Sequence, residues 1–278
     1  MNKTKISLTI LILIILAINS IYAKGDDKKI SSSKDYVDLV NPLVGTDSER
    51  ILSNGNTYPA IGLPWGMNYW TPQTGKMDNS WLYTYDGNKI NGFRQTHQPS
   101  PWIGDYGAFF IMPETGELKI GEDERASWFS HKRETVKPYY YQVYLGDYDV
   151  WTEITPTERA AQIQMKYPKS DKSYLLIDAF DKGSYVKIFP KEKMIIGYSR
   201  NNKGGVPENF HNYFVIYFDK EIDSTFTWNG KELHKNKLEE EGDHVGAVIK
   251  FKTEKNEFVH LKIASSFISY EQAELNLQ

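Results

Sequence analysis

Cysteine is absent from this 278-residue sequence. That excludes disulfides, Cys-ligated metals and a thiol-linked lipid, so stability rests on the core alone. A dominant charge sign is missing too. The 33 basic and 36 acidic residues intermix to a formal net charge of −3, and nothing in that balance points to nucleic acid. No GxSxG elbow, phosphate-binding Gly-rich loop or HExxH motif occurs. The six histidines (His97, His131, His211, His234, His244, His260) lack ligand-type spacing. His260 falls on the polar side of a predicted strand and reads as a surface residue. Glu239-Glu240-Glu241 reads as a solvated turn. No residue is assigned a catalytic or metal-ligating role.

Long apolar runs are confined to the N-terminus. A basic start (MNKTK) precedes an apolar stretch over residues 6–18, and Ala23 closes a small-residue cleavage site. Residues 1–23 are therefore expected to be a signal peptide, and the apolar stretch is short for a membrane span. Export to the periplasm or the extracellular space follows, with no membrane association after cleavage. Residues 24–34 form a charged, polar spacer expected to be disordered.

What is abundant is aromatic: 14% of residues, with 19 Tyr and 7 Trp. From residue 139 onward, strand signals recur. Candidates are 139–145, 150–155, 160–167, 174–180, 184–189, 194–199, 213–218, 224–228, 247–253 and 258–263. Several alternate with period two, and turn signals separate them at the spacing of a sandwich or barrel. Asn229-Gly230 predicts a two-residue hairpin turn. Before residue 81 the chain is dense in Gly, Pro and Asn, which predicts short strands joined by structured loops. The fold class is all-β: a large antiparallel β-sandwich of many strands, occupying residues 35–268. Ser269 through Gln272 fits a capping box, so residues 269–278 are read as the start of a truncated linker helix.

Residues 92–113 (GFRQTHQPSPWIGDYGAFFIMP) combine a large aromatic ring with polar tips between prolines and glycines. A ring gives an apolar platform and polar tips give directed hydrogen bonds, which is what a sugar-binding surface needs.

Several blocks, in order, resemble the N-terminal domain of glycoside hydrolase family 92. They are NPLVGT from Asn41, GNTYP from Gly55, PWGM from Pro64, GFRQTH from Gly92, DYG from Asp105, TERA from Thr157 and SSFIS from Ser265. The family consists mostly of exo-acting α-mannosidases. The resemblance implies a β-sandwich packed against a following (α/α)6 catalytic domain, expected downstream or as a separate chain. It also implies an inverting, calcium-dependent reaction on a mannose-containing glycan. The family places the acid, the base and most calcium ligands in the helical domain. This chain alone is therefore expected to be inactive and to need no cofactor of its own. The expected function is the carbohydrate-contacting half of such an enzyme. A stand-alone, lectin-like sandwich is the alternative.

The resemblance implies substrate contacts for Trp81, Gln95, His97, Trp102 and Asp105. Trp81 would stack on the sugar at the leaving-group side. Each has a structural counterpart reading: a core strand residue for Trp81, a ring capping the core for Trp102, a buried polar pair for Gln95 and His97, a turn-forming carboxylate for Asp105. Trp65, Trp70, Trp128, Trp151 and Trp228 read as core or strand residues. Many members carry GFSHTHLSG where this chain has Arg94-Gln95 and Gln98-Pro99, and PFG where it has Pro64-Trp65-Gly66. Linkage preference therefore does not carry over.

Overall fold

The computed structural model describes residues 35–49, 51–52, 56–77, 81–97 and 104–278. The signal-peptide and spacer readings, and Trp102, lie outside the described residues. The chain divides after Leu39. The described part of the first unit is a single 3-10 turn, Tyr36–Leu39, with Asp35 Oδ1 accepting from the Val37 amide at 3.0 Å.

From Val40 onward, two large antiparallel sheets dominate. The first has seven described strands in the order Tyr69–Gln73, Gly92–Thr96, Phe109–Thr115, Ser170–Asp178, Val245–Thr253, Ser224–Asn229, Glu232–Lys235. The second has nine: Glu239–Gly242, Ser184–Phe189, Met194–Ser199, Asn212–Phe218, Glu257–Ser266, Ala160–Tyr167, Val150–Pro156, Tyr140–Leu145, Glu134–Lys137. This is the all-β sandwich architecture read from the sequence. Among the described residues no helix is long and apolar enough to cross a membrane.

Aromatic side chains interlock the sheets. Trp70 meets Phe109 edge-on at 6.0 Å, and Phe109 stacks across on Phe214 at 4.3 Å. Tyr167 and Phe251 meet edge-on at 5.3 Å. Such pairs add directional preference to burial. In the nine-stranded sheet, strands such as Tyr140–Leu145 and Met194–Ser199 bury every second residue, the pattern of a sheet packed on one face. In the seven-stranded sheet, Gly92–Thr96 is buried throughout and Phe109–Thr115 nearly so. Its outer face is covered too.

That outer face is polar. Register places Arg94 beside Thr71 and Phe110, Phe110 beside Asp178, Asp178 beside Gly246 and Gly246 beside Trp228. One row thus crosses the sheet. The short helix Glu122–Arg125 covers it, with the Arg125 guanidinium 4.2 Å above the Phe110 ring.

Several local expectations change. Before residue 81, Tyr69–Gln73 is the one described strand. Glu239-Glu240-Glu241 is an edge strand, not a solvated turn. Alternation turns Glu240 inward, where Thr227, His234 and Lys237 donate to it at 3.1, 2.9 and 2.8 Å. The hairpin turn falls on Gly230-Lys231, because Asn229 still pairs with Glu232. Only Gly230 takes positive φ (58°), the first central position of a type II′ turn. Half of the capping box forms. Ser269 Oγ accepts from the Gln272 amide at 3.2 Å, whereas the Gln272 side chain donates onward to Asn276. Trp65 is neither core nor strand: it is 98% exposed on a loop, at φ 66°.

Candidate functional site

The register gathers chemistry at one end of the sandwich. Tyr69 faces Thr96, Gln95 faces Phe109, Ser199 faces Asn212 and Tyr213 faces Ser266. The described residues leaving these strands therefore emerge together: 97, 104–108, 200–211 and 267 onward.

Asp105 organises this end. Its Oδ1 accepts from the backbone amides of His97 and Tyr106, both at 2.9 Å. Its Oδ2 accepts from Arg94 Nη2 at 3.3 Å. Arg94 also donates from Nη1 to the Met77 carbonyl at 3.2 Å and Gln73 Oε1 at 3.4 Å, and lies 4.7 Å from the Phe180 ring. Both members of the pair are buried. A buried carboxylate with two amide donors and a guanidinium fixes the backbone around it.

His97 and Gln95 flank this hub. Burial holds the His97 imidazole below its ordinary range, against the opposing pull of Asp105. The ring is thus neutral at pH 7, and its 3.9 Å approach to Asp105 is not an ion pair. Nδ1 donates to the Tyr106 carbonyl at 2.7 Å, which leaves Nε2 as a bare acceptor with no protein partner. The ring stacks on Tyr106 and meets Phe267 at 4.9 Å. Gln95 lies on the inner face and ties the two sheets: its Oε1 accepts from Asn212 Nδ2 at 3.2 Å. Asn212 Nδ2 also bonds the Gly107 carbonyl at 2.7 Å. Gly107 must be glycine here. Its φ is 64°, and a Cβ would stand 2.5 Å from Asn212 Cβ.

The structure therefore brings Gln95, His97 and Asp105 to one end of the sandwich, buried, with Gln95 bonded to Asn212. A cleft of about 420 Å³ opens beside them, lined by Gly104, Asp105, Tyr106, Lys203, Pro207 and Phe210. Trp81 is partly buried, and the segment after it is pinned from below. Glu134 accepts from the hydroxyls of Tyr141 at 2.6 Å and Tyr83 at 3.4 Å, and bonds His131 Nδ1 at 2.6 Å. His131 Nε2 bonds the Tyr85 carbonyl at 2.7 Å, and the ring stacks on Tyr85 at 3.9 Å.

Sequence reasoning did not single out Asn212, Gln73 or Phe267. Asn212 had a weak signal, as a polar residue opening an apolar strand. Gln73 and Phe267 join the cluster only through register. Among the described residues no group of three or more His, Cys, Asp or Glu side chains could hold a metal ion.

Comparison with known proteins agrees with this architecture. The glycosyl hydrolase family 92 N-terminal domain matches residues 39–266. A family GH92 inverting mannosidase from Bacteroides thetaiotaomicron superposes with a TM-score of 0.84 at 44% identity, covering 87% of this chain and 33% of that one. A family GH92 alpha-mannosidase from the same species gives 0.78 at 29% identity, covering 88% and 35%. An uncharacterized secreted glycosidase from Arthroderma benhamiae is 24% identical over 147 residues, which are 49% of this chain and 18% of that protein. The chain spans about a third of the length of the mannosidases it matches.

Proposed function

Because this chain belongs to the glycosyl hydrolase family 92 N-terminal domain family, we propose that it is the sugar-contacting sandwich of an exported α-mannosidase-type glycosidase. The loops around Asp105 form one wall of a cleft for a mannose-containing glycan. The observation that carries this reading is the convergence of Gln95, His97 and Asp105 at the loop end, beside an open cleft.

In this reading Asp105, Arg94 and the buried His97 hold the loop, His97 through its bond to the Tyr106 carbonyl. Trp81 supplies a stacking ring and Trp102 extends the platform. Inversion at the anomeric carbon needs one carboxylic acid to protonate the leaving oxygen and one carboxylate to activate water on the opposite face. Those two groups, and the ligands of a calcium ion, are assigned to a second domain of the (α/α)6 type. Export to the periplasm or cell exterior is part of the same proposal.

The test is turnover of mannobiose by the purified chain, with and without calcium. No hydrolysis is expected from the chain alone. Hydrolysis should appear when it is joined to a family 92 helical domain, and fall when Trp81→Ala is introduced. Turnover by the pure chain, or a joined enzyme indifferent to Trp81 and Asp105, refutes the assignment.

A further inference from the structure

A second cleft, of about 680 Å³, lies where the covering segments meet the outer face of the seven-stranded sheet. Its lining includes Met77, Ile120, Glu122, Asp181, Lys231 and His244. None of these side chains takes part in the function proposed above. The volume is that of a small-molecule site.

The base of the cleft is a rigid ionic unit. Asp178 is buried, and its Oδ2 accepts from Arg125 Nη2 at 2.9 Å. Its Oδ1 accepts from the Phe180 amide at 3.0 Å and faces His244 Nε2 at 2.8 Å. The other Arg125 donors are engaged by the Asn91 and Ile120 carbonyls at 3.0 and 2.9 Å. Each nitrogen of the guanidinium therefore has a protein partner. Asp178 in turn settles the His244 tautomer: Nε2 carries the proton toward the carboxylate, and Nδ1 is left for the cleft that the ring lines. Burial works to lower the His244 pKa, but Asp178 outweighs it and the net direction is upward. The loop that brings Asp181 to the cleft holds Phe180 at φ 66°, strained backbone for an aromatic residue.

The lining selects a ligand class. Carboxylates of Glu122, Glu124 and Asp181 line the cleft together with the Lys231 ammonium and the His244 ring, so both acceptors and donors face it. No described cluster of acidic or imidazole side chains fits a metal ion. Hydroxyl groups, each both donor and acceptor, suit a rim that mixes carboxylates with the Lys231 ammonium and the His244 ring. Met77 and Ile120 suit the C–H face of a ring. The cleft is also wired to the Asp105 hub: Gln73 Nε2 donates to Glu122 Oε1 at 3.0 Å, Gln73 Oε1 accepts from Arg94, and Arg94 donates to the Met77 carbonyl.

We propose that this cleft is a second carbohydrate site, taking a neutral sugar ring between Met77 and Ile120 on one side and Glu122, Lys231 and His244 on the other. Asp178 is a positioning residue that fixes the His244 ring. The choice of mannose as probe rests on the function proposed above; the site and its polyol class do not.

The test is titration of the whole chain with mannobiose to tens of millimolar, read by the imidazole NMR signals of His244. A saturable shift is expected, weakened at least tenfold by Lys231→Met, while Trp81→Ala leaves it in place. Lys231 is exposed, so its variant tests the site without disturbing the fold. Silent His244 signals with binding that depends on Trp81 would overturn the second site and leave the loop reading standing. A His244 shift with no effect of Trp81→Ala on any binding would keep the second site and remove the loop reading. A shift that Lys231→Met leaves unchanged would also overturn the proposal.

Discussion

The two sheets handle polar residues in opposite ways. In the nine-stranded sheet most stand on the open side of alternating strands, where Glu257 pairs with Lys220 and His260 with Asp219 of the loop after Phe218; Glu134 and Glu240 are the enclosed exceptions. In the seven-stranded sheet they are enclosed: Arg94, Asp105, Arg125 and Asp178 are each less than a tenth exposed. Enclosing charge costs desolvation, and it is tolerated only where partners saturate it. What enclosure provides is fixed geometry. The enclosed sheet carries both clefts described above at its margins, and the open sheet is their support.

The comparison breaks first at Asp178. Replacing it with Ala strands the Arg125 guanidinium and the His244 ring in a buried space. Removing one partner of a buried pair typically costs about 3–5 kcal/mol. Urea unfolding of Asp178→Ala should show a loss of that size with an unchanged m-value. A loss below about 1 kcal/mol would mean that the outer face is open to water.

This contrast also explains what could be read from the sequence. Ala160–Tyr167, Ser184–Phe189 and Met194–Ser199 match their predicted bounds because a one-sided sheet writes its alternation into the chain. Tyr69–Gln73 is covered only by the expectation of short strands before residue 81, with no bounds, and Gly92–Thr96 and Phe109–Thr115 are not predicted as strands. They are buried on both faces, contain Gly or Pro, and show no alternation to detect. The candidate site was half legible. Gln95, His97 and Asp105 announced themselves by residue type in a loop-rich stretch and through the family resemblance. Gln73, Asn212, Asp178 and His244 are brought in from 20 to more than 100 residues away, by pairings that no local pattern encodes.

Glu114 gives the next largest effect. It is buried on the same outer face, with Oε2 accepting from the Lys119 amide at 2.9 Å and Oε1 without a partner. Burial pushes its carboxyl up to about 8, against the opposing effects of Lys119 and Arg125. The folded-state value is raised above the unfolded one, so the sign is fixed. Stability is full below the ordinary carboxylate range and is lost as pH rises toward about 8. Glu114→Gln removes this loss. The variant should match the parent near about pH 5 and exceed it by about 2–4 kcal/mol at about pH 8. Parallel unfolding curves with no pH-dependent gap would show Glu114 ionised and hydrated.

Asp105→Asn keeps the shape of the hub and removes its charge. The two amide bonds weaken and Arg94 loses its counter-ion, for a loss of about 1–3 kcal/mol. Hydrogen exchange at the His97 and Tyr106 amides should accelerate more than at any amide of the nine-stranded sheet. Uniform acceleration would mean that Asp105 supports the whole fold and not its loop end. Trp65 is expected to act in the other direction. Its ring makes no use of the core, and its backbone sits at φ 66°. Trp65→Gly should therefore stabilise the isolated chain by about 1 kcal/mol in thermal unfolding. A destabilised variant would show that the ring packs in solution.

The smallest effect belongs to the open sheet. Lys220 and Glu257 are paired there with their side chains 19% and 31% exposed. Lys220 lowers the Glu257 pKa, foremost through their hydrogen bond. A depressed carboxyl contributes stability above its ordinary range and loses it as pH falls through the folded value. Water and salt screen a pair this open, so its coupling should be about 0.5 kcal/mol in a double-mutant cycle of Lys220→Met and Glu257→Gln. Raising the salt concentration should erase most of it, while the loss in Asp178→Ala should barely change. Equal salt sensitivity in the two pairs would remove the distinction between an enclosed and an open sheet. Unequal sensitivity would locate the protein's fixed charges, and with them its binding chemistry, on one sheet.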